Sequence, residues 1–307
     1  MSEDDRLLPM IQAGGDEAVV PIFERVAVVG LGLIGGSIAL AARRAWPTGL
    51  VIGVDDKEVL ERAMVQHAID VAAADLEVVS GADLVILAAP VQDNMRLLEE
   101  LDQVIEEPAI ITDVGSTKRD IVSCANGLPD RFTFIGGHPL GGAPQSGIAY
   151  ARPDLFIGRP WLFTPTSDSP DTAVDLLQQF VSAIGATPHV MTANEHDNLL
   201  AYLSHLPQLT ASALMNVVGN NAGAEGLALT GRGLADTTRL ASSPPTIWRD
   251  ICATNADEIR GALDLLIKEL SSLRDGLGDP DVIETLFDSA AKWKSHLPKK
   301  SDSERPK

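Results

Sequence analysis

His138 is set between a glycine pair and a proline, in Phe134-Ile-Gly-Gly137-His138-Pro139-Leu-Gly-Gly142, and it follows a short apolar run that reads as a buried strand. A backbone shaped this tightly around one imidazole presents a group that can take a proton near neutral pH. Lone histidines are more often structural, but a place at the carboxyl end of a strand favours function. Asp113-Val-Gly-Ser116-Thr-Lys118 closes another buried run. Ligands gather at that edge of an α/β sheet, and Ser116 offers a hydroxyl there. Either Asp113 or Ser116 could instead serve only as a helix N-cap.

The strongest local signal is Val26-Ala-Val-Val-Gly30-Leu-Gly32-Leu33-Ile34-Gly35-Gly36-Ser37. A buried strand runs straight into Gly30-x-Gly32-x-x-Gly35, with an apolar helix behind it. Gly30 permits the tight turn, Gly32 lets the backbone approach a pyrophosphate, and Gly35 lets helix and strand pack closely. The pyrophosphate then rests on the helix N-terminus, on Leu33, Ile34 and their neighbours, where free N–H groups and the dipole favour an anion. Such a turn also occurs in unrelated α/β proteins. Here a second strand ends at Asp55, 20 residues after Gly35, where a carboxylate can accept both ribose hydroxyl protons. Asp55, seconded by Asp56, would repel a 2′-phosphate, so NAD is the expected cofactor in preference to NADP.

Two further segments carry candidates. In His196-Asp-Asn-Leu-Leu-Ala-Tyr-Leu-Ser204-His205-Leu-Pro207-Gln208 the two histidines are nine residues apart. On an unbroken helix they would face opposite sides, so they are not read as one metal site. No other His, Cys or carboxylate spacing suggests a metal. His205 sits where Pro207 frees backbone groups, a place suited to function. His196, beside the capped start of the helix, reads as a surface residue and receives no role. In Thr237-Thr238-Arg239-Leu-Ala-Ser-Ser-Pro-Pro-Thr-Ile-Trp248-Arg249-Asp250 an arginine fork could clamp a carboxylate. Arg249, with Asp250 beside it, could instead pair between helices. Position alone does not choose between Arg239 and Arg249. Trp248 could wall a pocket.

The elements that must position these residues follow from periodicity. Apolar runs at Val26–Val29, Val51–Val54, Leu84–Ala89, Ile110–Val114 and Phe132–Ile135 alternate with helical stretches. Runs of this kind are parallel strands buried on both faces. Trp161–Thr164 and Pro188–Met191 read as further strands, with a helix over Asp171–Ile184 between them. The fold expected is a Rossmann-like, doubly wound parallel sheet over 21–191. After Met191 the strands stop. Thr192 and Glu195 have capping-box spacing, and the helix they open is interrupted by Pro207, which opens the turn around Leu203. Ala211–Val218, Thr246–Leu270 and Asp281–Leu297 also read as helices, giving an all-α domain over 192–298. Residues 1–20 read as a mobile arm and 299–307 as a frayed polar tail.

Composition sets the outer bounds. The 307 residues are 45% hydrophobic and 22% charged, an ordinary globular balance over about two domains. Only 4% are aromatic, so the core is expected to be mostly aliphatic. A net charge of -19 repels phosphate backbones and anionic membrane surfaces, which argues against nucleic acid or membrane as partner. Cys124 and Cys252 form no CxxC pair and read as buried thiols in a reducing compartment. With no apolar span and no secretion signal in view, the cytoplasm is the expected location.

Taken in order, GLGLIGGS, DVGSTK, GGHPLGG, SHLPQ and TTRLASSPPTIWRDI resemble the prephenate and arogenate dehydrogenase family of tyrosine biosynthesis, over about Arg25 to Asn255. The resemblance implies a Rossmann-like domain, a helical domain that forms a homodimer, and oxidative decarboxylation of a cyclohexadiene with NAD⁺. Prephenate would give 4-hydroxyphenylpyruvate and arogenate would give tyrosine. Carried over by motif, it implies that His138 accepts the ring hydroxyl proton and that Ser116 helps orient that histidine and the nicotinamide. It also implies that Arg239 holds a substrate carboxylate, that His205 positions substrate, and that Trp248 lies beside the pocket. One position departs. Some prephenate-using members carry a glutamate six residues after the first histidine, where this chain has Pro144.

Two other readings compete with this resemblance. Two-domain hydroxy-acid dehydrogenases usually need a catalytic lysine in the helical half, and Thr192 to Ile267 contains none. A non-catalytic NAD-sensing dimer would need neither His138 nor Arg239.

Overall fold

The computed structural model describes residues 20–142 and 145–298. The arm expected over 1–20 (all but Val20), Pro144 and the tail at 299–307 lie outside the described residues. The chain divides into two compact units. The first comprises the described residues up to Leu200 together with Ser242–Thr254, and the second comprises Ala201–Ala241 and the described residues from Asn255 onward.

The first unit is built on eight strands: β1 (Arg25–Val29), β2 (Leu50–Val54), β3 (Val71–Ala73), β4 (Leu84–Leu87), β5 (Ala109–Asp113), β6 (Phe132–Pro139), β7 (Pro160–Thr164) and β8 (Thr187–Val190). They form one sheet in the order β3-β2-β1-β4-β5-β6-β7-β8. The helices of this unit are α1 (Leu33–Ala45), α2 (Lys57–Val65), α3 (Val91–Val104), α4 (Arg119–Ala125), α5 (Asp171–Ala183) and α6 (Ala193–Leu200), joined later in the chain by Pro245–Thr254. Each central strand is apolar on both sides. Val26 and Val28 pack into one core while Ala27 and Val29 pack into the other. That is why the sequence reads as continuous apolar runs rather than alternation. The strand order reverses between β1 and β4, which opens a crevice at their carboxyl ends.

The expected doubly wound sheet is present, with two differences. The pairing is parallel except between β6 and β7, which run antiparallel with His138 opposite Leu162. A buried apolar run carries no sign of its direction, so this step was not visible in periodicity. The three-residue β3 was too short to stand out. The core is largely aliphatic as composition requires, and several of the few aromatics cluster at β7, where Trp161 packs against Phe156 and Phe163. Both cysteines are free but half-buried rather than buried, and burial pushes their thiols up.

The second unit is helical. Its elements are α7 (Leu206–Leu227), α8 (Arg232–Thr237), α10 (Ala256–Asp275) and α11 (Pro280–Lys294), the intervening α9 being Pro245–Thr254 of the first unit. Pro207 acts as expected: the preceding turn, Ala201–His205, is π-helical. A proline removes one backbone bond and crowds the carbonyl four residues earlier, and a widened turn accommodates that. The helix expected over Thr246–Leu270 is broken into α9 and α10 at Asn255, whose φ of -136° is not helical. The cause is tertiary, because the Asn255 side chain is fully buried and hydrogen-bonds the His205 ring at 3.3 Å. Among the described residues, no helix is long and apolar enough to cross a membrane.

Candidate active site

The cofactor turn can be tested against the backbone. Gly30 has φ +95°, and a Cβ there would stand 2.8 Å from the Ala88 carbonyl. At Gly35 a Cβ would fall onto the Gly30 carbonyl oxygen. Neither position accepts a side chain, because backbone cannot move aside. At Gly32 nothing lies within 4 Å, so the turn is open where a ligand's phosphates would approach. Helix α1 starts there with no side-chain cap and no acid in its first turn, which leaves its N–H groups and dipole for an anion. Asp55 directly follows β2, and its Oδ2 accepts from Leu31 N at 2.5 Å and its Oδ1 from Asp56 N at 2.6 Å. The carboxylate is thus locked onto the glycine turn. These residues fit a dinucleotide.

Gly32, Leu33 and Ile34 line a cavity of about 400 Å³ in the first unit, along with Ala88–Val91, Val114–Ser116, Gly141, Gly142 and part of α9. Asn94, fully buried at the start of α3, shapes one wall. Its Oδ1 accepts from Ala89 N at 3.0 Å and its Nδ2 donates to Leu87 O at 3.2 Å. Ile247, Asp250 and Ile251 of α9 form another wall. Thr254, at the end of α9, donates to Asp250 O at 2.9 Å, so its oxygen accepts from Thr117 at 2.7 Å. That bond ties α9 to the turn carrying Ser116.

Asp113 is not a helix cap. It is fully buried at the end of β5, where it accepts from Gly115 N at 2.8 Å and Gly137 N at 3.1 Å and pairs with the Lys118 ammonium. Lys118 is also fully buried, and burial holds its ammonium below the usual lysine range despite the attraction of Asp113. The close approach of β5 and β6 explains Gly137, where a Cβ would sit 2.6 Å from Asp113 O.

His138, half-buried at the end of β6, is joined to His196, to which the sequence alone assigns no role. Its Nδ1 lies 2.9 Å from Nε2 of His196, whose Nδ1 lies 2.8 Å from Asp197 Oδ1. His196 is not a surface residue; it and Asp197 are 0% exposed. Asp197 also accepts from the backbone N–H groups of Lys118 at 2.7 Å and Arg119 at 2.9 Å, and from Arg119 Nε at 3.3 Å. Burial and the Lys118 charge hold His196 below the usual histidine range, against the pull of Asp197. Burial raises Asp197, but the hydrogen bonds from His196, Arg119 and Lys118 outweigh it, and its carboxyl stays below the ordinary range. The capping box fixes the start of this helix, with Thr192 N donating to Glu195 at 2.8 Å and Glu195 N to Thr192 Oγ1 at 3.1 Å. The His-Asp dipeptide one residue beyond that box was the available signal.

In the second unit His205 is fully buried on the π-turn, and its Nδ1 accepts from the Asn255 amide. Gln208 Nε2 donates to Leu240 O at 2.7 Å, which holds the single turn Arg239–Ser242 in place. Arg239 is exposed at the start of that turn. In the first unit Trp248 is half-buried on α9 between the cavity-lining Ile247 and Asp250. Arg249 is exposed, and among the described residues no ion pair joins it to Asp250. No group of three or more His, Cys, Asp or Glu among the described residues is placed to hold a metal ion.

Comparison with known proteins agrees with this geometry. The model of the prephenate dehydrogenase nucleotide-binding domain matches residues 38–190, and that of the prephenate dehydrogenase dimerization domain matches 192–289. The chain is 36% identical to the prephenate dehydrogenase of Bacillus subtilis over 270 residues, covering 86% of this chain and 72% of that protein. It is 30% identical to the cyclohexadienyl dehydrogenase of Zymomonas mobilis, covering 92% and 98%. Among solved structures it is similar to A. aeolicus prephenate dehydrogenase in complex with hydroxyphenyl propionate and NAD⁺, with a TM-score of 0.81, 30% identity and coverage of 88% and 97%. It is also similar to Synechocystis arogenate dehydrogenase, with a TM-score of 0.76, 28% identity and coverage of 89% and 99%.

Proposed function

The chain belongs to the prephenate dehydrogenase family, and from that premise we propose that it oxidatively decarboxylates prephenate to 4-hydroxyphenylpyruvate with NAD⁺ as oxidant. The observation that carries this reading is the cavity in which the glycine turn and Ser116 share one wall system at the carboxyl edge of the sheet, with the His138 strand ending beside it. Gly30, Gly32, Leu33, Ile34 and Gly35 cradle the pyrophosphate and Asp55 takes the ribose. When bound, the nicotinamide supplies the hydride acceptor for the ring carbon that bears the hydroxyl.

His138 accepts the hydroxyl proton as the carbonyl develops. The carbon–carbon bond to the ring carboxylate breaks, CO₂ leaves, and the electron pair aromatises the ring. The oxygen takes the proton back from His138 as the phenol, so the histidine borrows and returns one proton and no net proton is released. Ser116 helps orient His138 and the nicotinamide. Arg239 holds a substrate carboxylate, fixing the register that gives the entropic advantage of orientation. His205 positions substrate from the π-turn, and Trp248 walls the pocket. The same machinery serves arogenate, a second reading favoured by the likeness to Synechocystis arogenate dehydrogenase.

A homodimer through the helical unit is proposed on the match to the dimerization domain and on the exposed apolar side chains of Leu265, Phe287 and Trp293. The cytoplasm is the proposed compartment, on the two free thiols. The test is NADH formation and CO₂ release by purified protein with prephenate and with arogenate in separate reactions. A higher kcat/KM for prephenate is expected. Faster turnover of arogenate moves the assignment to it, and turnover of neither overturns the reading.

A further inference from the structure

The contact between His138 and the buried His196–Asp197 pair constrains which nitrogen of His138 can act as a base. Asp197 is ionised, and each atom that meets its oxygens in this network is a donor: Lys118 N, Arg119 N, Arg119 Nε and His196 Nδ1. His196 Nδ1 therefore carries a hydrogen. Burial keeps the His196 ring neutral, with Lys118 adding to the effect. A neutral imidazole with Nδ1–H presents a lone pair at Nε2. That Nε2 is 2.9 Å from His138 Nδ1, so His138 must supply the hydrogen of this bond. Its own lone pair is then on Nε2.

We propose that Asp197 and His196 are positioning residues that hold His138 as its Nδ1–H tautomer, so that Nε2 is the nitrogen that takes and returns the substrate hydroxyl proton. The inference rests on the proposed role of His138 and deepens it. A free histidine populates both tautomers and rotates about χ2, and either change would present an N–H to the substrate where a lone pair is needed. The pair removes both freedoms through two hydrogen bonds, and both of its members are 0% exposed. It also supports the imidazolium that forms during turnover, because His196 Nε2 accepts from it and the Asp197 charge lies one ring further on. The proton does not migrate inward, since both partners lie below their ordinary pKa ranges, His196 through burial and Asp197 through its donors. The charged groups that face His196 are Asp197 on its own helix, Lys118 at the start of α4 and Asp113 at the end of β5. They are arranged to keep the ring neutral and directed.

Three variants separate positioning from mere packing. His196→Leu removes the acceptor for His138. His196→Gln keeps a carbonyl that accepts from His138 Nδ1–H and an amide that donates to Asp197. In Asp197→Asn the charge is lost and one acceptor oxygen becomes an amide donor facing the N–H groups of Lys118 or Arg119, so the order of donors that sets His138 as Nδ1–H is no longer enforced. With NAD⁺ and prephenate, His196→Leu and Asp197→Asn should lose about 10²–10⁴-fold in kcat. Their Kd for NAD⁺ should be unchanged, and their pH profile should lose the wild-type acid limb. His196→Gln should recover to within about tenfold of wild type, which a purely structural role would not require. Side-chain ¹H–¹⁵N correlation spectra of the wild-type protein read the tautomers directly, independent of turnover and of whether any variant folds. His138 and His196 should both appear as Nδ1–H. A wild-type His138 found as Nε2–H overturns the proposal, as does a folded His196→Leu that keeps its kcat and pH profile. If the spectra show the expected tautomers while neither prephenate nor arogenate is turned over, the positioning of His138 stands and the functional reading fails.

Discussion

Lys118→Met puts a number on the ion pair beneath the candidate site. The substitution keeps an unbranched apolar side chain of nearly the same reach and removes the ammonium. Asp113, fully buried, then retains only the N–H groups of Gly115 and Gly137, at 2.8 and 3.1 Å, and loses its countercharge. Leaving one buried charge unpaired costs about 3–5 kcal/mol. Burial already depresses the Lys118 pKa, so desolvation offsets much of what the pair contributes. Removing both charges should therefore cost less than removing one, and Lys118→Met/Asp113→Asn should be more stable than Lys118→Met alone. Trp46 and Trp161 are buried in the first unit and report its unfolding in a urea titration followed by fluorescence. A loss below about 1 kcal/mol in Lys118→Met, or a double variant as damaged as the single, would refute the claim that this pair is dry and coupled.

NAD⁺ should give a higher kcat/KM than NADP⁺; equal values would remove Asp55 from its role, and Asp55→Ala should also raise the KM for NAD⁺ because it frees Leu31 N. Gly35→Ala places a methyl on the Gly30 carbonyl and should abolish NAD⁺ binding measured by calorimetry. Arg239→Ala should raise the KM for substrate, at about 2–5 kcal/mol of transition-state binding, while Arg249→Ala should not; the reverse pattern would identify Arg249 as the clamp. A histidine whose folded pKa lies below its ordinary value near 6.5 stabilises fully above that value, and the contribution is lost as pH falls through the folded pKa. Melting of wild type should thus decline on acidification below about 6.5 more steeply than melting of His196→Gln, and parallel curves would contradict it.

The features legible in the sequence are those that local chemistry decides. The strand-to-helix glycine turn, the acid at the end of β2, the capping box at Thr192 and the widened turn before Pro207 each depend on a few neighbouring residues. What could not be read depends on residues distant in sequence. His196 looks polar and terminal on its helix, and its burial comes from packing α6 against α4 and β7. The break at Asn255 comes from a hydrogen bond to a ring fifty residues earlier. The reversal at β7 changes nothing in the apolar character of the run. Lys118 stood in a recognised motif, yet its burial could not be inferred, because a lysine enters a core only where a carboxylate such as Asp113 is already in place.

The central claim is that His138 takes the substrate proton, and the kcat–pH profile of His138→Asn with NAD⁺ and prephenate tests it most directly. Asparagine keeps a hydrogen-bonding group of similar reach but cannot accept the proton. A fall of about 10²–10⁴-fold in kcat, with the acid limb gone and the Kd for NAD⁺ unchanged, is the predicted result. A His138→Asn protein that keeps wild-type kcat and the same acid limb would contradict the account, leave His138 a structural residue, and send the search for the base to His205.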